Sequence, residues 1–156
     1  MIGHVFSFEA YAENFSLLNK NVQTYNLAKR ISTFNIAVTD GKKKSVILNF
    51  HPSNLGMHSV VFDYNLGKNG KRHEVQTTSL EKIFYENRIR VCHILKLDCE
   101  GAEFEILFSA PKKILEKIKN IVMEYSDDDQ IGKLKKFLEN SGFKITYYQT
   151  HLPACR

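Results

Sequence analysis

Only three cysteines, Cys92, Cys99 and Cys155, occur in this 156-residue chain, and no two of them make a CxxC pair. An odd number leaves one thiol over in any disulfide scheme, so free thiols in a reducing compartment fit best. Cys92 and Cys99 flank one apolar run. A strand of that length holds them more than about 20 Å apart, whereas a disulfide needs Cα atoms within about 7 Å. No apolar run approaches the roughly 18–20 residues of a membrane-crossing helix. The opening "MIGHVFSFEA" has neither the basic n-region nor the long apolar stretch of a secretory signal. The expected location is therefore cytoplasmic. Zinc-spaced Cys/His sets, recognition-helix signatures and aromatic–basic RNA motifs are all missing. The formal net charge of +5 hints at an anionic partner, but the lysines lie in short clusters at 41–44, 67–72 and 112–120. Such clusters read as solvated loops and helix faces, so no nucleic-acid role is expected. Internal repeats and low-complexity linkers are absent too, which leaves one domain over 1–156.

What is present is an alternation. "HVFSF" (4–8) is a short β-rich run that stops at Glu9, and apolar residues at helical spacing follow over 12–29. "ISTFNIAV" (31–38) alternates as a strand does and closes at the turn "TDGKK". Three β-rich pieces, "SVILNF", "HSVVF" and "HEVQTT", lie in the middle of the chain, about 45–77, separated by turn-rich segments. A short helix over 79–87 starts from Thr78 or Ser79. "VCHILKL" (91–97) reads as a strand buried on both faces. Helices are predicted over 102–110, from Pro111 to about Lys117, and over 126–142 with an acidic start and Gly142 as terminator. Strands are predicted at 120–125 and 143–149. The pattern is that of an α/β fold with a mostly parallel sheet.

Such a sheet binds ligands beyond the carboxyl ends of its strands. Three of those ends carry an acid: Glu9, Asp98 and Glu124. A lone acid there is usually a helix cap, but three along one edge of a single sheet point to a binding crevice. The densest case is "KLDCEGAEFEIL" (96–107), where Asp98, Glu100 and Glu103 crowd a strand-to-helix turn. Glu100 and Glu103 near a helix N-terminus are favoured by about 0.3–1 kcal/mol each, and Gly101 permits the tight turn. Asp98 leaves the strand as the chain turns into that helix. His58, in a loop between β-rich pieces, is read either as a hydrogen-bonded surface residue or as a general base with a pKa suited to neutral pH. Tyr147 and Tyr148 read as sheet packing.

These segments resemble the FkbM family of S-adenosylmethionine-dependent methyltransferases. The resemblance rests on "GHVFSFEAYAENFSLLNKNV", "IAVTDG", "NLGMHSV", "VQTTSLEKI", "ILKLDCEGAEFEILFSA" and "IVMEY", in order over roughly residues 3–145. It implies a Rossmann-like class I methyltransferase fold in which "HVFSF" is the second strand. It also implies S-adenosylmethionine as cofactor, with Glu9 on the ribose hydroxyls, Ala10 against the adenine and Ala37 near the adenine edge. No metal ligand is implied. The family's first strand and its glycine-rich turn of the GxGxxG kind have no counterpart here; "NLGKNGKR" follows no suitable strand. The expectation is an incomplete chain with the first strand missing, which by itself binds the cofactor weakly or not at all.

The leading functional expectation is methyl transfer to a hydroxyl on a sugar, lipid or other metabolite, with Asp98 and His58 as candidate catalytic residues. A second reading is a non-catalytic truncated α/β module that acts only in interaction. A third, more distant one is a metal-assisted enzyme with Asp98 and Glu124 as oxygen ligands for Mg²⁺.

Overall fold

A computed structural model describes residues 3–49, 58–61, 72–124 and 128–146. β1 (Val5–Phe8) and β2 (Ile31–Phe34) pair in parallel, Val5 opposite Ile31 and Phe8 opposite Phe34, with α1 (Ala12–Thr24) as the crossover. Phe8 and Phe34 stack at 4.8 Å across this pair. The helical spacing predicted α1 to reach residue 29. It stops earlier because Asn26 takes a left-handed φ of 55° and breaks the i to i−4 ladder.

The strand expected over 31–38 is in fact two. The Asn35 side-chain amide donates to Glu9 O at 2.8 Å and to Ala10 O at 3.0 Å. Those bonds tie the chain to the end of β1, and β3 (Ala37–Val38) leaves for another sheet. There it runs parallel to β5 (Arg72–Thr78), which pairs antiparallel with β4 (Ser45–Asn49). Of "HSVVF", Ser59 makes one isolated bridge to Asn49, and Phe62 lies outside the described residues. α2 (Leu80–Glu86) starts at Ser79, whose Oγ accepts from Lys82 N at 3.3 Å.

β6 (Leu95–Leu97) pairs in parallel with β7 (Ile121–Met123). Only three residues of the apolar run 91–97 belong to it, and Cys92 adds a single bridge to Ile118. α3 (Glu103–Ser109) and α4 (Lys112–Leu115) connect β6 to β7, and α5 (Asp128–Asn140) follows. Gly142, at φ 91°, ends the last helix as expected. Residues 143–146 form no regular element, although Phe143 and Ile145 pack on the core. The rest of the predicted 143–149 strand, Tyr147, Tyr148 and Cys155 lie outside the described residues.

The core gathers Leu80, Ile83 and Phe84 of α2, Leu97 of β6, and Ile106 and Leu107 of α3, with Leu115, Leu134 and Leu138. Ile106 and Leu107 are both 0% exposed. α3 therefore buries much of its circumference, as "FEILF" allows. Strand pairing is mostly parallel, but one expectation is corrected. Glu9 follows β1 in one sheet, while Asp98 and Glu124 follow β6 and β7 in another. No single sheet edge carries all three, because among the described residues β1 pairs only with β2 and β6 only with β7.

Candidate functional site

Glu9 sits where β1 gives way to α1. Its backbone N–H still donates to Phe34 O at 3.0 Å, and its Oε1 accepts from Tyr11 N at 2.8 Å. Burial pushes its carboxyl pKa up, opposed by hydrogen bonds from the Tyr11 and Ala10 amides and the Asn14 side chain. The result is a half-buried carboxylate with one oxygen fixed by the backbone. Ala10 follows it, and Ala37 is buried at the start of β3.

The acidic turn after β6 is built differently. Asp98 is exposed, and its Oδ2 lies 2.6 Å from Lys96 Nζ. Glu100 and Gly101 both take left-handed backbone, φ 49° and 103°. Glycine enters that region without strain, but Glu100 does not, so something must hold it there. Glu103 does: only 2% exposed, it accepts from Cys99 N at 2.6 Å and from Gly101 N at 2.9 Å. The structural reading of Glu103 is therefore right, through direct hydrogen bonds as well as helix-end electrostatics. Burial raises the Glu100 carboxyl, and the Asp98, Glu103 and Glu124 charges raise it further. Burial also pushes the Cys99 thiol up to about 11.

A short segment joins the two strand ends. The His58 ring meets Tyr11 edge-on at 4.6 Å. Next to it Ser59, 1% exposed, donates from Oγ to Glu100 O at 2.6 Å and accepts from Val61 N at 3.0 Å. One end of this loop thus rests on the start of α1 and the other on the acidic turn. Sequence reasoning passed over Ser59 and Tyr11. A serine inside an apolar, strand-like run was the one available signal.

Glu9, Ala10, Ala37, His58 and Asp98 all line one cleft of about 1200 Å³, together with Cys99 and Glu100. That volume exceeds the roughly 300–1,000 Å³ of ordinary small-molecule pockets. Five residues from four separate stretches of sequence are brought to one place. A family model for the methyltransferase FkbM domain matches residues 1–145.

The chain belongs to the FkbM methyltransferase family. No curated protein and no solved structure matches it. Among the described residues no group of three or more His, Cys, Asp or Glu could hold a metal ion. Glu124 donates its backbone N–H to Leu97 O at 3.2 Å and does not line the cleft. Among the described residues no helix is long and apolar enough to cross a membrane.

Proposed function

We propose that this FkbM domain is an S-adenosylmethionine-dependent O-methyltransferase acting on a hydroxyl of a sugar, lipid or other metabolite. The observation that carries the reading is that Glu9 and Asp98, at the ends of β1 and β6, share one cleft with Ala10, Ala37 and His58. In this reading β1 and β2 are the second and third strands of a Rossmann-like sheet, and β6 and β7 its fourth and fifth.

The residues present fit the cofactor. The Glu9 carboxylate, oriented by the Tyr11 and Ala10 amides and the Asn14 side chain, has lone pairs enough to accept from a vicinal diol such as ribose as well. Ala10 and Ala37 bring small apolar side chains to the same cleft, where a flat purine would lie. S-adenosylmethionine, when bound, supplies a methyl group carried on a sulfonium sulfur. Asp98, exposed at the cleft, accepts a hydrogen bond from the acceptor hydroxyl, orients its oxygen and takes its proton. Lys96 keeps the Asp98 carboxylate in place through their 2.6 Å ion pair. His58, held against Tyr11, closes one side of the cleft and is the second candidate base. Positioning of the two reactants carries much of the rate in such a displacement.

The test is an NMR titration of the 156-residue chain with S-adenosylhomocysteine, a format that also registers weak binding. Shifts should concentrate at Glu9, Ala10, Ala37 and Asp98, and Glu9→Ala should weaken binding by about tenfold or more, since hydrogen bonds to a charged group contribute about 1.5–3 kcal/mol. Binding that is unchanged in Glu9→Ala, or shifts confined to other parts of the molecule, would refute the assignment. Transfer of labelled methyl to hydroxylated acceptors, lost in Asp98→Asn, then tests the chemistry. A non-catalytic interaction module is the second reading, favoured by β1 and β6, each of which pairs on one side only among the described residues.

A further inference from the structure

Each crossover helix runs from the carboxyl end of one strand to the amino end of the next, so the helix exits gather on one face. α1 leads from β1 to β2, α2 from β5 to β6, and α3 with α4 from β6 to β7. The pairs β1–β2 and β6–β7 are parallel, and the loop that sets His58 on Tyr11 and Ser59 on Glu100 ties the carboxyl ends of β1 and β6 together. The exits at 25–30, 85–90 and 116–120 therefore lie on the opposite face, away from Glu9, Asp98 and Glu124.

These exits are built alike. α1 and α2 both end at a left-handed residue, Asn26 at φ 55° and Arg88 at φ 52°. In each the next residue donates back into the helix, Leu27 N to Val22 O and Ile89 N to Phe84 O. That closure turns an apolar residue inward and leaves its neighbours outside. Arg88 and Arg90 flank the half-buried Ile89, and Lys117 and Lys119 flank Ile118, which is 4% exposed. The two loops are joined, because Cys92 N donates to Lys117 O and Lys119 N to Cys92 O. Lys29 and Arg30 add two exposed cations after Leu27. The three exits thus hold six cations against two acids, Glu86 and Glu116, and Glu86 faces Lys82 at 3.8 Å. They also hold Tyr25 and Tyr85, which at 71% and 84% are the most exposed large apolar side chains among the described residues.

We infer that this face docks on an anionic lipid bilayer, its cations on the headgroup charge and both tyrosine rings at headgroup level. Each Lys or Arg near a negative leaflet raises partitioning by about fivefold, and tyrosine, apolar with a polar tip, suits that interface. Cations beyond a helix end also complement the macrodipole, but that does not account for two aromatic rings held out in water. A lipid surface fits cations spread over three loops, whereas a nucleic-acid strand needs a groove that tracks its phosphates. Of the six cations only Arg88 lines the cleft. Docked in this way, the chain turns Glu9 and Asp98 to the aqueous side. The inference does not depend on the methyltransferase reading.

The test is cosedimentation of the 156-residue chain with vesicles of phosphatidylcholine, alone or mixed with about one third phosphatidylserine. The chain should bind the mixed vesicles and not phosphatidylcholine alone, and should come off as salt rises from about 0.1 to about 0.5 M. Arg90→Gln, Lys117→Gln and Lys119→Gln together should weaken binding about a hundredfold, as three steps of about fivefold give. Glutamine at Lys42, Lys43 and Lys44, beside the carboxyl end of β5 where Thr77 N donates to Lys44 O, removes the same charge and should weaken binding less than about threefold. Tyr25→Ser with Tyr85→Ser should weaken it several-fold at unchanged charge. No binding to the mixed vesicles, equal binding to both kinds, equal loss in the two glutamine triples, or no loss in the serine pair would overturn the proposal. A single-stranded oligonucleotide that binds more tightly than the mixed vesicles at equal phosphate would assign the face to nucleic acid and also overturn it. No cofactor enters the measurement, so a failure of methyl transfer leaves this outcome readable.

Discussion

Replacing Glu103 with alanine tests the central claim about the acidic turn, that a buried carboxylate holds its backbone. Glu103 is 2% exposed and accepts from Cys99 N and Gly101 N, at 2.6 and 2.9 Å. Alanine removes both acceptors while Glu100 and Gly101 remain at positive φ. An amide left without its partner costs about 1–3 kcal/mol when water cannot replace it. Cys99 and Gly101 are half-buried, so the lower end applies to each, and relief of the buried charge returns part of it. The expected loss is about 2 kcal/mol from the two amides together, a fall of about 4–8 °C in Tm for a chain of this size. Glu103→Gln keeps one acceptor but points an NH₂ at the other amide, so it should lose about half as much. Urea unfolding followed by circular dichroism measures both. A Glu103→Ala midpoint within about 0.5 kcal/mol of the parent, or Gln indistinguishable from the parent, would mean the turn holds itself and the reasoning fails.

Three further outcomes follow from the same structure. Leu107→Ala, at a 0% exposed position in α3, should destabilise the chain by about 2–5 kcal/mol in the same urea assay. Glu9→Gln should raise stability at neutral pH while weakening S-adenosylhomocysteine binding. Burial lifts the folded-state pKa of Glu9 above its ordinary value of 4.5, so the ionised form is penalised in the folded chain. The gain from glutamine should then be present at neutral pH and vanish as pH falls through that raised pKa toward 4.5, which urea midpoints across pH will show. Cys99, its thiol pushed up to about 11 by burial, should be alkylated by iodoacetamide at pH 8 about a hundredfold more slowly in the native chain than in urea, because the thiolate is the reactive form. Comparable rates in the two states, read by mass spectrometry of the Cys99 peptide, would contradict this burial.

The sequence made the individual elements legible wherever the signal is local. Ser79 ahead of "LEKIFYE" caps α2, Gly142 stops α5, and the apolar run ending at Asp98 delivers β6. Positions decided by distant partners were less legible. Nothing in "ISTFNIAV" says that Asn35 will bond to Glu9 O and Ala10 O and split one predicted strand between two sheets. The left-handed Glu100 was equally hidden, because it depends on a carboxylate three residues later turning back into the turn.

The site divides along the same line. Glu9, Asp98 and His58 could be picked out because each is a polar residue at the end of an apolar run, and the cleft does bring them together. Their expected common sheet edge is not what unites them. β1 and β6 lie in different sheets, and the loop that rests on Tyr11 through His58 and on Glu100 through Ser59 joins their ends. A serine hydroxyl bonded to a carbonyl 41 residues away leaves no periodic trace in the sequence. It matters because Ser59 holds the carbonyl of Glu100, two residues from Asp98, while its neighbour His58 touches the residue two beyond Glu9. Among the described residues, one short loop therefore links the two carboxylates.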